Sequence, residues 1–125
     1  MFQGQRRFNN AANLMFNLLK AKPNVLVVDD DVSVAAAFKR QAYGLFTVTS
    51  FTHPHEALTA ICAGQKFSAV LSDWKMPLMD GLSFLTRVSS IQPALPLFLF
   101  TGVLDHPEFR RHIKEIRIRG IFLSP

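Results

Sequence analysis

The feature that most constrains this chain is an unbroken apolar run, Val25-Leu26-Val27-Val28, that stops on three acids, Asp29, Asp30 and Asp31. A continuous β-branched run of this length reads as a strand buried on both faces, which places it centrally in a parallel sheet. Beyond it, Val34, Ala35, Phe38 and Ala42 recur at helical spacing, and Gly44 suits a helix stop. Residues 45–51 read as a second strand. A helix over about 54–63 follows, with Pro54 first and Gly64 at its end. The alternation continues with a strand at 68–73, a helix marked by Leu82, Leu85 and Val88, and a strand at 97–101. A helix marked by Phe109, Ile113 and Ile116 and a fifth strand at 121–123 complete it. Strands alternating with helices at this spacing predict an α/β doubly wound fold, a parallel sheet covered on both faces.

In such sheets the ligand site lies outside the carboxyl ends of the strands. Asp29 and Asp30 end the first predicted strand, Asp73 the third, Thr101 the fourth and Ser124 the fifth, so all five gather at one edge. Three carboxylates brought close together repel one another unless a cation neutralises them. Magnesium takes oxygen ligands and keeps several waters, so two carboxylates and a loop carbonyl after Asp73 suffice. One carboxylate can then act as a nucleophile toward a phosphoryl group, with the Thr101 hydroxyl donating to a phosphoryl oxygen. Asp31, just before a helical pattern, reads instead as a helix cap.

The chain has 125 residues, 49% of them hydrophobic and 18% charged, enough for one domain with a core. No apolar run approaches the ~18 residues needed to span a bilayer, and no secretory signal is present, so the expected location is cytoplasmic, without membrane insertion. Cys62 is the single cysteine, which excludes an intrachain disulfide. The net charge of +5 comes mostly from Arg6, Arg7, Lys20 and Lys22, all ahead of the first acid. A later cluster, Arg110, Arg111, Lys114, Arg117 and Arg119, reads as a solvated helix face, so no direct nucleic-acid contact is expected. His53 and His55 lack further ligands and read as caps or surface groups. The phenylalanines read as core.

Three segments carry a family resemblance. Val25-Leu26-Val27-Val28-Asp29-Asp30-Asp31 resembles the opening strand and acidic pair of the two-component response regulator receiver domain. Val70-Leu71-Ser72-Asp73-Trp74-Lys75-Met76-Pro77-Leu78-Met79-Asp80-Gly81 is similar to its phosphoacceptor segment, and Leu97-Phe98-Leu99-Phe100-Thr101-Gly102 to the strand that carries its hydroxyl. The resemblance covers residues 24–125. It implies a flavodoxin-like strand order, 2-1-3-4-5. It implies that Asp73 accepts a phosphoryl group from a phosphohistidine on a sensor histidine kinase or histidine phosphotransfer domain. Asp30 and Asp73 would bind Mg2+ directly, Asp29 through water, and the Lys75 backbone carbonyl would complete the protein ligands. Pro77 and Gly81 would shape the adjoining loop, and Trp74 either lies partly exposed beside the pocket or simply packs against the loop. A dehalogenase-like reading of Asp29 and Asp31 leaves the Asp73 segment unexplained.

The chain also departs from the family. Ser124-Pro125 stands where the family has lysine and proline, and serine offers neither the charge nor the reach of a lysine. The Lys75 ammonium is a candidate substitute. Counting back three from Ser124 gives Ile121, while Phe122 lies one step on and so faces the other way in a strand. The family's final helix is absent from the sequence, which predicts a receiver over 23–125 truncated after strand five. Residues 1–22 form a basic amphipathic extension: over 8–21, Phe8, Ala12, Met15, Phe16 and Leu19 share one helical face, and Asn9, Asn13, Asn17 and Lys20 the other. That extra N-terminal helix is a candidate to dock where the final helix belongs; the rivals are a dimer-forming helix, a loose linker from an upstream region and a truncated gene product. The alternative function is a degenerate receiver that binds a partner without phosphorylation.

Overall fold

Val25, Leu26, Val27 and Val28 are fully buried in β1 (Asn24–Val28), which lies between two other strands of a five-stranded parallel sheet. The computed structural model describes residues 10, 11, 13, 14, 23–102 and 107–123. After β1 come α1 (Val32–Ala42), β2 (Thr47–Phe51), α2 (Pro54–Cys62), β3 (Ala69–Asp73) and α3 (Gly81–Ile91). β4 (Leu97–Thr101), α4 (Pro107–Ile116) and β5 (Ile118–Leu123) follow. The strand order is β2-β1-β3-β4-β5, all parallel, as the resemblance implied.

Local chemistry sets most boundaries. Asp31 caps α1, its carboxylate accepting from the Ser33 N–H at 2.9 Å and the Ser33 hydroxyl at 2.6 Å. Lys39 and Arg40 lie in the last turn, where positive charge suits the helix dipole. β2 starts two residues later than expected because the N–H groups of Leu45 and Phe46 turn back to the Ala42 carbonyl. Pro54 opens α2, and Gly64 follows it at φ +98°.

β5 starts three residues earlier than expected, at Ile118. Arg117 takes a left-handed φ of 56° between α4 and β5. Leu97 pairs with Ile118 but Phe98 pairs with Gly120, so Arg119 is the extra residue of a β-bulge.

Alternate residues of the strands feed two cores. One holds Leu26, Val28, Val70, Leu97 and Leu99 under α2, α3 and α4. The other holds Val25, Val27, Ala69, Leu71, Phe98 and Phe122 against Ala35, Phe38 and Ala42 of α1. Ile121 packs on the first core and Phe122 in the second, the opposed facing that the step of one residue predicts. Phe38 meets Phe100 and Phe122 edge-on at 5.9 and 5.8 Å.

Asn10, Ala11, Asn13 and Leu14 are helical, and Ala11 packs against the second core. The rest of 1–22, with Ser124, Pro125 and any final helix, falls outside the described residues.

Candidate functional site

Every acid at the site hangs from a strand end. Asp29 follows β1 directly. Its N–H continues the β1–β2 ladder to the Phe51 carbonyl at 3.2 Å, and its carboxylate accepts from the Asp31 N–H at 2.9 Å. The residue is buried, whereas Asp30 is exposed. Asp73 closes β3, and one of its carboxylate oxygens accepts from the Trp74 N–H at 2.9 Å. Because β1 and β3 are neighbours in register, the three carboxylates converge: one oxygen each from Asp29, Asp30 and Asp73 lie within 4.8 Å of one another.

The electrostatics follow from that convergence. Burial pushes the Asp29 carboxyl up to about 6 from 3.8. The Asp31 N–H opposes the rise, and the charges of Asp73, Asp30 and Asp31 reinforce it. Asp73 is also raised, first by burial and then by the charges of Asp30 and Asp31, against the lowering effect of the Trp74 N–H. Asp31 is lowered by its bonds to Ser33, as befits a cap outside the pocket. Hard carboxylate oxygens at this spacing, with the buried one reluctant to ionise, are a donor set suited to a small divalent cation.

The backbone around Asp73 is held tightly. The Ser72 hydroxyl donates to the Asp73 carbonyl at 2.8 Å, and the Gly81 N–H donates to the Trp74 carbonyl at 2.6 Å. A Cβ on Gly81 would collide with the Asp73 carbonyl oxygen, so only glycine lets α3 start this close to the end of β3. Asp80 caps α3 by accepting from the Ser83 N–H at 2.8 Å. Between them, Leu78 holds a φ of 72° and is 82% exposed.

Thr101 is buried at the end of β4, one residue beyond the partner of Asp73. Lys75 is exposed, with its Nζ over the Trp74 ring at 4.1 Å from the centroid. Trp74 itself is only 3% exposed, which rules out the partly exposed indole and favours the packed alternative: it sits in the core with Met76 and Met79 of the same loop. Ser124 lies outside the described residues. Sequence reasoning missed Ser72 and the strain at Leu78. A lone serine in a buried apolar strand was the available signal for the first, and a leucine carries none for the second.

A doubly wound parallel sheet with an acidic cluster at its carboxyl edge defines an α/β protein whose carboxylates, at the strand-order reversal, could hold a cation. Residues 25–122 match the model of the response regulator receiver domain family, and the chain belongs to that family. It is 37% identical over 90 residues to the C4-dicarboxylate transport transcriptional regulatory protein DctD of Rhizobium meliloti (strain 1021), covering 71% of this chain and 19% of that protein. It is 38% identical over 82 residues to the DNA-binding transcriptional regulator NtrC of Salmonella typhimurium, covering 65% of this chain and 17% of that one. The chain thus spans about one fifth of the length of these relatives. Among solved structures, the chemotaxis response regulator CheY4 of Vibrio cholerae matches with a TM-score of 0.72 and 26% identity, over 84% of this chain and 88% of that one.

Proposed function

We propose that this receiver takes a phosphoryl group onto Asp73 in two-component signalling, with magnesium held by Asp30, Asp73 and the Lys75 backbone carbonyl, and by Asp29 through water. The observation that carries this reading is the meeting of three carboxylates from the ends of two adjacent strands within 4.8 Å. As a receiver, the chain is a signalling domain, and the transfer is a modification of the chain itself.

The chain's residues divide the work. The Trp74 N–H holds one oxygen of Asp73 and so fixes the plane of the carboxylate. The other oxygen attacks phosphorus as the bond from phosphorus to the donor nitrogen of a phosphohistidine breaks, and the electron pair leaves with the imidazole. The Thr101 hydroxyl donates to a phosphoryl oxygen. Magnesium, when bound, neutralises the carboxylates and the charge on the transferring oxygens. The Lys75 ammonium supplies part of the positive charge that Ser124 lacks. Leaving the Trp74 ring would cost it only about 0.5–1 kcal/mol, the worth of an exposed cation–π contact.

The phosphodonor in this reading is a sensor histidine kinase or a histidine phosphotransfer domain, and the setting is cytoplasmic. Among the described residues no helix is long and apolar enough to cross a membrane. DNA binding belongs to the named relative NtrC, of which this chain matches 17%, and the chain itself is read as making no direct nucleic-acid contact. A homodimer remains part of the proposal. A degenerate receiver finds no support in the comparisons or in the acidic cluster. Incubation with acetyl phosphate and magnesium, read by intact mass, should add one phosphoryl group to the wild type and none to Asp73→Asn. Equal gains, or no gain in either, would overturn the assignment of Asp73. Lys75→Ala should slow phosphorylation or shorten its lifetime, and an unchanged variant would remove Lys75 from the site.

A further inference from the structure

Ser72 is fully buried in β3, paired with Val28 of β1 and Leu99 of β4, which are fully buried as well. A hydroxyl in such surroundings costs free energy unless it is hydrogen-bonded, and an alanine would occupy the strand without that cost. The Ser72 hydroxyl donates to the carbonyl of the very next residue, Asp73, at 2.8 Å. That carbonyl belongs to the peptide unit joining Asp73 to Trp74. The N–H of the same unit forks between the Phe100 carbonyl at 3.1 Å and the Asp73 carboxylate at 2.9 Å. A peptide unit is planar and rigid, so whatever holds its oxygen also sets the direction of its N–H.

We propose that Ser72 is a positioning residue for the phosphoacceptor: its hydroxyl locks the Asp73–Trp74 peptide, so that the Trp74 N–H stays on one carboxylate oxygen and the other stays aimed at phosphorus. The inference rests on the reading of Asp73 given above. Two features of the neighbourhood make the lock specific. The first is that α3 begins against the same carbonyl. A Cβ on Gly81 would collide with the Asp73 oxygen and come within 3.0 Å of the Ser72 Oγ, so strand end, hydroxyl and helix start are packed together. The second is that the Gly81 N–H takes the next carbonyl, that of Trp74, at 2.6 Å. Hydroxyl and helix start thus hold consecutive carbonyls, while β4 holds the N–H between them. Without the hydroxyl the peptide plane is free to rock about its flanking single bonds, and its N–H drifts off the carboxylate. The carboxylate then samples orientations in which neither oxygen faces the donor, and attack has to wait for its return.

The full chain carries the test, with acetyl phosphate and magnesium, as initial rates of phosphoryl gain against acetyl phosphate concentration. Ser72→Ala should lower the saturating rate about fivefold, the worth of one neutral hydrogen bond. The half-saturating concentration should stay unchanged, because the hydroxyl does not touch the donor. Ser72→Thr, which keeps the hydroxyl, should restore the rate. In the metal-free protein the Trp74 amide proton should move upfield in Ser72→Ala by more than those of Val70 and Leu71, and return in Ser72→Thr. A serine with a merely structural role would lower the melting temperature in Ser72→Ala yet leave the saturating rate, taken well below melting, and the Trp74 amide where they are. That result overturns the proposal, as does a threonine variant as slow as the alanine one. If Ser72→Ala does not fold, Ser72→Cys, of similar shape but a weak donor, takes its place in the same comparison. A wild type that gains no phosphoryl group overturns the reading of Asp73 instead, and the Trp74 amide still shows whether Ser72 sets that peptide.

Discussion

A carboxylate buried beside two others pays for its charge, and Asp29 shows how much that matters in the metal-free protein. Its folded pKa of about 6 stands above the ordinary 3.8, so between those values the native state holds the proton more tightly than the unfolded chain. The stabilising contribution is therefore complete below about pH 3.8 and is lost as pH rises through about 6. Asp29→Asn keeps an oxygen for the Asp31 N–H and removes the charge. In chelator at pH 7.5 the variant should be more stable than wild type by about 1 kcal/mol, after allowing for solvent screening, with the gain vanishing at low pH. Thermal melts across pH 4–8 decide it, and equal melting temperatures at pH 7.5 would show that burial of this charge is harmless. Leu78 is a second residue under strain: a leucine at φ 72° loses about 1–2 kcal/mol to the left-handed conformation, and at 82% exposure it recovers little by packing. Leu78→Asn should raise the urea midpoint by the equivalent of about 1 kcal/mol; a lower midpoint would show that the leucine has a packing role. The acids were legible because each ends an apolar run. Leu78 was not, since a left-handed φ announces itself only through glycine or asparagine.

Elements were legible where period and punctuation agreed, as in β1, α1 and β4, and least so at β5. Ile118, Arg119 and Gly120 do not look like a strand, because a charged residue and a glycine interrupt the apolar pattern. The bulge at Arg119 explains both departures: it discards one residue from the ladder and brings Gly120 opposite Phe98. There a Cβ would lie 2.9 and 3.0 Å from atoms of the Phe98 ring, which is fully buried and has nowhere to retreat. Gly120→Ala should therefore destabilise by about 1–3 kcal/mol, as overpacking does. Gly102→Ala is the control, since its Cβ would meet nothing within 4 Å. Urea unfolding of the pair separates a steric cause from a general loss of glycine flexibility. If both variants lose the same stability, the close approach of Gly120 to Phe98 is not what demands glycine.

For the whole molecule, the strand order was available from the family resemblance, and the doubly wound class from alternation alone. The site is likewise a property of the whole sheet. Asp29 and Asp30 follow β1 and Asp73 ends β3, so they converge only when those strands are paired, and an unfolded chain offers scattered carboxylates. A cation that needs the cluster thus binds the native state far better than the unfolded one, and stabilises it by mass action. At a magnesium concentration about 100 times the dissociation constant the gain is about 2.7 kcal/mol. That gain has a pH dependence fixed by the same acids: below about pH 6 Asp29 holds a proton that the cation must displace, so the stabilisation shrinks. Differential scanning calorimetry at pH 7.5 and pH 5.5, with and without magnesium, should show a large upward shift at the first and a smaller one at the second. Asp73→Asn should lose most of the shift at both. Melting that ignores magnesium at pH 7.5 would show that the three carboxylates are not a magnesium site.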